Sequence, residues 1–297
     1  MLPIKRILCP LDFSELSNLS LDYACSLALH YSAELAIEHV IEPLELISPE
    51  DEFAEMEKWS GLRSPLAAKA KVKLKALAEA HPSGRLPVEI IVREGRPIDA
   101  ILSEAERHAT DLIVMGTHGR RGVDHWLLGS VTEKVLRKSR CPVMVVRKPA
   151  HHFVTPETSD DPMRLERILL CSDFSAPSIR SLEYALSLAL EFDAELRIVH
   201  VLEDVPKSTE IRDVTEEIQE KLIQAIPAET LDWLRVDATV RMGRPYQEIV
   251  QLAVESEADL IVMGVEGRNA LDIAVFGSTT HRVIQLAPCP VLAVRVL

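Results

Sequence analysis

The chain repeats itself. ILCPLDFS at Ile7–Ser14 returns as ILLCSDFS at Ile168–Ser175. The offset of 161 (168 − 7) persists through Tyr23/Tyr184, Ala24/Ala185, Ala28/Ala189, Glu34/Glu195, His39/His200 and Val40/Val201. Beyond that point it falls to 148. GRP at Gly95–Pro97 matches Gly243–Pro245, DLIVMG at Asp111–Gly116 matches Asp259–Gly264, and CPV at Cys141–Val143 matches Cys289–Val291. The second copy is therefore shorter by 13 residues (161 − 148) between its second and third strands. A duplication in a 297-residue chain predicts two domains, each near the ~150 residues usual for one. We expect domains over 1–149 and 164–297, joined by a linker over 150–163. The stretch PAHHFVTPETSDDPM, Pro149–Met163, is polar, holds three prolines and has no apolar period. Extended, it would reach roughly 45 Å at about 3.3 Å per residue, so it is expected to place no limit on how the copies pack.

Within a copy, strand and helix patterns alternate. Arg6–Cys9 is a short apolar run suited to a strand buried on both faces. Ser14 then precedes a helical pattern of Leu16, Leu19, Tyr23 and Leu27, as an N-cap would. Ala33–Val40, Val88–Val92, Leu112–Met115 and Val143–Val146 follow as strands, with helices expected over Ile98–His108 and Val131–Arg137. The charged stretch Asp51–Lys75 reads as a solvated amphipathic helix that breaks at Ser60-Gly61 and resumes through Ala80; its alternative is a lid or partner surface. The resulting order, βαβαβαβαβ, predicts an α/β class with a parallel sheet and helices on both faces. Such sheets bind ligands beyond the carboxyl ends of their strands, where the strand order reverses. That directs attention to the loops after the first and fourth strands.

The fourth-strand loop is glycine-rich in both copies. GTHGRRGVDHWLLGS and GVEGRNALDIAVFGS share the pattern Gly-x2-Gly-x9-Gly-Ser: Gly116, Gly119, Gly129, Ser130, and Gly264, Gly267, Gly277, Ser278. Glycine permits close backbone approach and positive φ. The Gly-Ser leads into a helix, whose first N–H groups and dipole suit a phosphate. Ser130, Thr132, Ser278 and Thr280 can add hydroxyls, and Asp12 and Asp173 face the same crevice with carboxylates for a ribose or an amino group. The loop is neither a GxxxxGK[ST] phosphate loop nor a GxGxxG fingerprint.

These residues resemble the universal stress protein family: the strand-Asp-Phe-Ser opening, the Gly-x2-Gly-x9-Gly-Ser loop and the Cys-Pro-Val last strand, in both copies and over nearly the whole chain outside the linker. The resemblance implies a five-stranded parallel sheet of order 3-2-1-4-5 in each copy, of the adenine nucleotide alpha hydrolase-like type. It implies ATP or AMP, with or without Mg2+, as the ligand. Carried over by motif, Pro10, Asp12 and Val40 would contact base and ribose. Met115 and Gly116 would line the pocket, and Gly119, Gly129, Ser130, Val131 and Thr132 would hold ribose and phosphates. The second copy implies Asp173, Val201, Met263, Gly264, Gly267, Gly277, Ser278, Thr279 and Thr280. It departs from the first at Cys171 for Pro10, Glu266 for His118 and Ala270 for Gly122. A carboxylate at Glu266 facing the pocket would oppose a triphosphate. Pairing of the two domains through their last strands is implied, and a homodimer is a further expectation.

Other chemistry is weakly supported. A net charge of −13 argues against nucleic acid and anionic membrane as partners. The five cysteines, Cys9, Cys25, Cys141, Cys171 and Cys289, show no CxxC spacing and are expected as buried, reduced thiols. The N-terminus carries no signal-peptide pattern and no apolar run nears 18 residues, so a cytoplasmic protein is expected. No metal site is expected, since the adjacent His151-His152 would diverge without a completing ligand. His118 and Arg120 lie in the loop, but no phosphate-loop lysine or acidic metal motif accompanies them. Three readings remain: a nucleotide-binding regulatory or stress-response module, a slow ATPase or phosphoryl- or nucleotidyl-transfer enzyme, and a binder of another small ligand in the same crevice.

Overall fold

The computed structural model describes residues 4–42, 52–81, 86–118, 128–148, 153–154, 163–203, 211–265 and 277–296, with 52–63 as backbone only. The first copy runs β1 (Arg6–Pro10), α1 (Glu15–Tyr31), β2 (Glu34–Ile41), α2 (Glu52–Ala80), β3 (Val88–Glu94), α3 (Pro97–Arg107), β4 (Leu112–Gly116), α4 (Ser130–Lys138) and β5 (Val143–Val146). The second runs β6 (Arg167–Cys171), α5 (Ala176–Phe192), β7 (Glu195–Leu202), α6 (Ile211–Gln224), α7 (Ala228–Leu231), β8 (Val236–Met242), α8 (Pro245–Glu255), β9 (Leu260–Val265), α9 (Ser278–Leu286) and β10 (Val291–Arg295). The 13-residue difference falls where the sequence places it: α2 gives way to the shorter α6 and α7.

The strands lie in the order β3-β2-β1-β4-β5-β10-β9-β6-β7-β8. Each copy is thus parallel in the order 3-2-1-4-5, reversing direction of growth between β1 and β4. The halves join antiparallel, Val291 opposite Val145, Leu292 opposite Met144 and Ala293 opposite Val143. Side chains alternate between faces, as a pleat requires. Ile7 and Cys9 point to the α1 side, while Leu8 points to the α3 and α4 side. Because helices cover both faces, β4 and β5 are apolar without alternation.

Two readings change. The helix expected to break at Ser60-Gly61 runs on as α2, with Pro65 inside it. Its described half is anchored by buried Ala70 and Leu74, one turn apart against the sheet, and that packing outweighs local propensity. The linker is also no free tether. Phe153 is 2% exposed and meets the Tyr23 ring edge-on at 4.9 Å. Val154 bridges to Met163, and Arg164 N–H donates to Phe153 C=O at 2.7 Å. Three apolar residues without a period leave no signal in a polar stretch, yet they insert into a core that the copies share. At the far end of α1, His30 Nε2 lies 2.9 Å from Glu191 Oε1 and stacks on Phe192, while Tyr31 O–H donates to Glu191 Oε2 at 3.0 Å.

Candidate functional site

The crevice opens where β1 and β4 end side by side. In the first copy Leu11 N–H donates to Glu38 C=O at 2.7 Å, tying the β1–α1 turn to β2. Asp12 Oδ1 accepts from Ser14 N–H at 3.0 Å, and Ser14 Oγ accepts from Ser17 N–H at 3.2 Å. Between them Phe13 is held at φ 67, a left-handed conformation disfavoured for a bulky side chain. His39 supports it: Nδ1 lies 2.6 Å from Leu11 C=O, which can only accept, so this nitrogen carries the proton. The His39 and Phe13 rings are 4.4 Å apart, and Lys73 Nζ of α2 sits 4.2 Å over Phe13.

The second copy repeats this turn. Phe174 has φ 60, and His200 Nδ1 lies 2.8 Å from Ser172 C=O. Asp173 Oδ1 accepts from Ser175 N–H at 3.0 Å and Ser175 O–H at 2.5 Å. Burial pushes the Asp173 carboxyl up, but the hydrogen bonds from Ser175 and its neighbours prevail and hold it below its ordinary value. Repetition of a strained turn in both copies marks it as part of the design of the crevice.

Pro10, Val40 and Met115 line the α3 and α4 side of the sheet, as do Val201 and Met263 in the second copy. The glycines divide by role. A Cβ on Gly116 would stand 3.1 Å from Leu16 Cβ, and one on Gly264 would stand 2.6 Å from Pro177 C. Both therefore admit the first turn of α1 or α5 against the strand. Gly129 and Gly277 precede their helices at φ −63 and −54, so neither uses the left-handed freedom anticipated for this loop. Gly129 is instead tight, with its would-be Cβ 3.1 Å from His118 Cα and Thr117 C=O, and its N–H closes the loop onto Thr117 C=O at 2.7 Å. Gly119 and Gly267, with Arg120, Glu266 and Ala270, lie outside the described residues, as do His151 and His152.

The start of α4 differs from that of its neighbour α1. Ser14 caps α1 with its own side chain, whereas Gly129 has none and α4 has no side-chain cap; the same holds for Gly277 and α9. Ser130 and Ser278 are exposed, Val131 and Thr279 half-buried, and Thr132 and Thr280 buried. Thr132 O–H donates to Gly116 C=O at 2.8 Å, which pins the helix start to the end of β4. Helix geometry leaves the first N–H groups of α4 and α9 without intrahelical partners, and among the described residues neither N-cap position supplies a side-chain acceptor.

A buried ionic cluster beneath Val40 has no signature in the sequence. Glu38, two residues before Val40 and opposite Pro10, is 1% exposed. Its carboxylate lies 3.7 Å from Arg93 Nε, while Arg93 Nη2 pairs with the buried Glu104 of α3. Arg107 and His108 also approach Glu104, at 4.0 and 3.2 Å. Among the described residues neither Glu38 oxygen has a hydrogen-bond partner. Burial, and then the Glu104 charge, push the Glu38 carboxyl up to about 7 against the pull of Arg93.

All five cysteines are free, and burial raises the Cys9, Cys171 and Cys289 thiols. Among the described residues no three His, Cys, Asp or Glu side chains are grouped to hold a metal, and no helix is long and apolar enough to cross a membrane.

Known proteins share this plan. A universal stress protein of Archaeoglobus fulgidus, known from a crystal structure, superposes with a TM-score of 0.67 at 26% identity, covering 99% of this chain and 98% of that one. A universal stress protein of Mycolicibacterium smegmatis is 27% identical over 302 residues, covering 97% of this chain and 96% of the relative. A shorter one from Methanocaldococcus jannaschii is 32% identical over 145 residues, or 49% of this chain and 83% of the relative. The sequence matches the universal stress protein family over residues 3–147 and again over 164–295, and the chain belongs to that family as a tandem member.

Proposed function

We propose that this protein binds an adenine nucleotide, ATP or AMP, in the first-copy crevice and acts as a nucleotide-dependent regulatory module of a stress response. The observation that carries the reading is the uncapped start of α4 beside the side-chain-capped start of α1. An unsatisfied set of N–H groups at the positive end of a helix suits a phosphate. In this reading Ser130, Val131, Thr132, Gly119 and Gly129 hold phosphates and ribose. Pro10, Asp12, Val40, Met115 and Gly116 enclose the base and sugar. The second crevice offers Asp173, Val201, Met263, Gly264, Gly267, Gly277, Ser278, Thr279 and Thr280 for the same roles, with Cys171 in place of Pro10. The working unit is one chain, with domains over 1–149 and 164–297 pairing through their last strands. The β5–β10 register supports this, since that edge is occupied within the chain. The free cysteines suit a cytoplasmic location.

Calorimetric titration of nucleotide-stripped protein with AMP and with Mg-ATP tests the reading. We expect at least one site per chain, removed by Ser130→Glu. Absence of binding at millimolar nucleotide would refute it.

A further inference from the structure

The copies exchange one arginine each. Arg147, directly after β5, donates from Nη1 to Gln285 C=O and, at 3.1 Å, to Ala287 C=O. These carbonyls close the last turn and C-cap of α9. Arg295, the last residue of β10, donates from Nη1 to Arg137 C=O and, at 3.5 Å, to Ser139 C=O, at the end of α4. Every position maps onto its counterpart by the offset of 148: 147 to 295, 137 to 285, 139 to 287. Among the described residues neither guanidinium has a carboxylate at ion-pair distance, and burial lowers both from their ordinary value. A half-buried cation with only carbonyl partners is favourable where those carbonyls form the negative end of a helix. The helices reached in this way are the two whose uncapped starts face the crevices.

We infer that Arg295 is a positioning residue for the first crevice and Arg147 for the second, so that each copy holds the anion-facing helix of the other. This rests on the nucleotide reading above. Helix α4 has nine residues, a rod of about 13 Å. A hold on its far end fixes the height and tilt at which the Ser130, Val131 and Thr132 N–H groups meet a ligand. The arrangement is unequal. The last turn of α4 contains Arg137 and Lys138, while that of α9 has no basic residue of its own. Arg147 therefore supplies the charge that α9 lacks, whereas Arg295 adds to charge already present. By linkage, a nucleotide bound in either copy strengthens the pairing of the copies by the factor through which pairing strengthens binding.

The test uses the full chain, stripped of nucleotide, in two backgrounds. Ser278→Glu leaves the first crevice, and Ser130→Glu leaves the second. AMP is the titrant, and hydrogen exchange of peptides spanning 129–139 and 277–287 is followed without ligand. Arg295→Met is expected to weaken the first site roughly threefold and to speed exchange in 129–139 alone. Arg147→Met is expected to weaken the second site about tenfold and to speed exchange in 277–287 alone. Arg→Lys at either position should recover part of each effect. Equal loosening of both helices by either variant, or no change in exchange or affinity, would overturn the inference. Failure of both backgrounds to bind AMP would sink the nucleotide reading instead, and the crossed exchange pattern would then decide the positioning claim by itself.

Discussion

The two copies build one matching contact, β2 with α3 in the first and β7 with α8 in the second, from opposite materials. In the first, Glu38 and Glu104 meet beside Arg93. In the second, the same places hold Val199 (38 + 161) and Leu252 (104 + 148), both buried, and Arg241, the counterpart of Arg93, pairs outward with Glu255 at 2.5 Å. The strand order is the same in both. The fold therefore does not need the acids, and a buried carboxyl without a hydrogen-bond partner opposes folding. What the first copy gains is a proton that titrates near neutrality, one pleat below Val40 and beside Pro10. The second copy fills this contact with apolar side chains, and the first fills it with a titratable pair beside an arginine.

The largest break in the symmetry comes from the linker. Phe153 covers Tyr23, whereas the matching Tyr184 is half-buried with Arg180 5.6 Å over its ring. Phe153→Ala should destabilise the protein by about 3–4 kcal/mol in chemical denaturation, the range for truncating a core phenylalanine. Tyr184→Phe should cost under ~1 kcal/mol. Similar small losses for both would mean that Phe153 is not a core residue in solution. The paired glycines come next. Gly264→Ala drives a methyl to 2.6 Å from Pro177 C and 2.7 Å from Ser178 N, backbone atoms that cannot step aside, and should cost about 3 kcal/mol. Gly116→Ala meets Leu16 Cβ at 3.1 Å and should cost about 1 kcal/mol. The reverse ranking would show that the α5 turn sits farther from β9 than α1 does from β4.

The acid cluster makes a prediction about pH. The Glu38 carboxyl keeps its proton up to about 7 in the folded chain, against 4.5 as its ordinary value. Between those values the folded state binds more protons than the unfolded one, so stability falls as pH rises through this window and levels off above it. Glu38→Gln should remove this slope and raise stability at pH 8 relative to pH 5 by roughly 2 kcal/mol compared with the parent. Identical pH profiles would mean that Arg93 neutralises both acids. Val199→Glu in the second copy should introduce a falling slope of its own.

The sequence carries the parts of this structure that are periodic or repeated. The strands announce themselves as apolar runs at two constant offsets, and Ser14 as a cap before a helical pattern. Other parts depend on which elements meet. Glu38, Arg93 and Glu104 are separated by 55 and 11 residues (93 − 38, 104 − 93), and only the β2–β3 register and the seat of α3 bring them together. Gly129 and Gly277 sit in a glycine pattern that suggests special backbone angles, yet their φ values are ordinary, and the need at Gly129 is for space. Arg147 and Arg295 end runs that read simply as last strands, and their partners lie in the opposite copy. The proposed site residues rest on motif alone, because a repeated loop before a helix is legible wherever the helix finally packs.

The smallest expected change in stability belongs to the substitution that best separates site from scaffold. Ser130 is exposed at the first position of α4, and Ser278 at that of α9. A carboxylate there lies at the positive end of a helix, which favours the fold by about 0.5 kcal/mol. The same carboxylate occupies the place proposed for a phosphate and repels it. Ser130→Glu should therefore raise the melting temperature slightly while weakening nucleotide binding on the order of thirtyfold or more. Damage to the fold lowers both quantities, so opposite signs point to an anion site. Applied to Ser278→Glu, the same measurement sharpens the contrast between the copies. A rise in melting temperature with a lost second site makes both crevices working pockets. A rise with no change in binding makes the second copy a partner that holds the first in place.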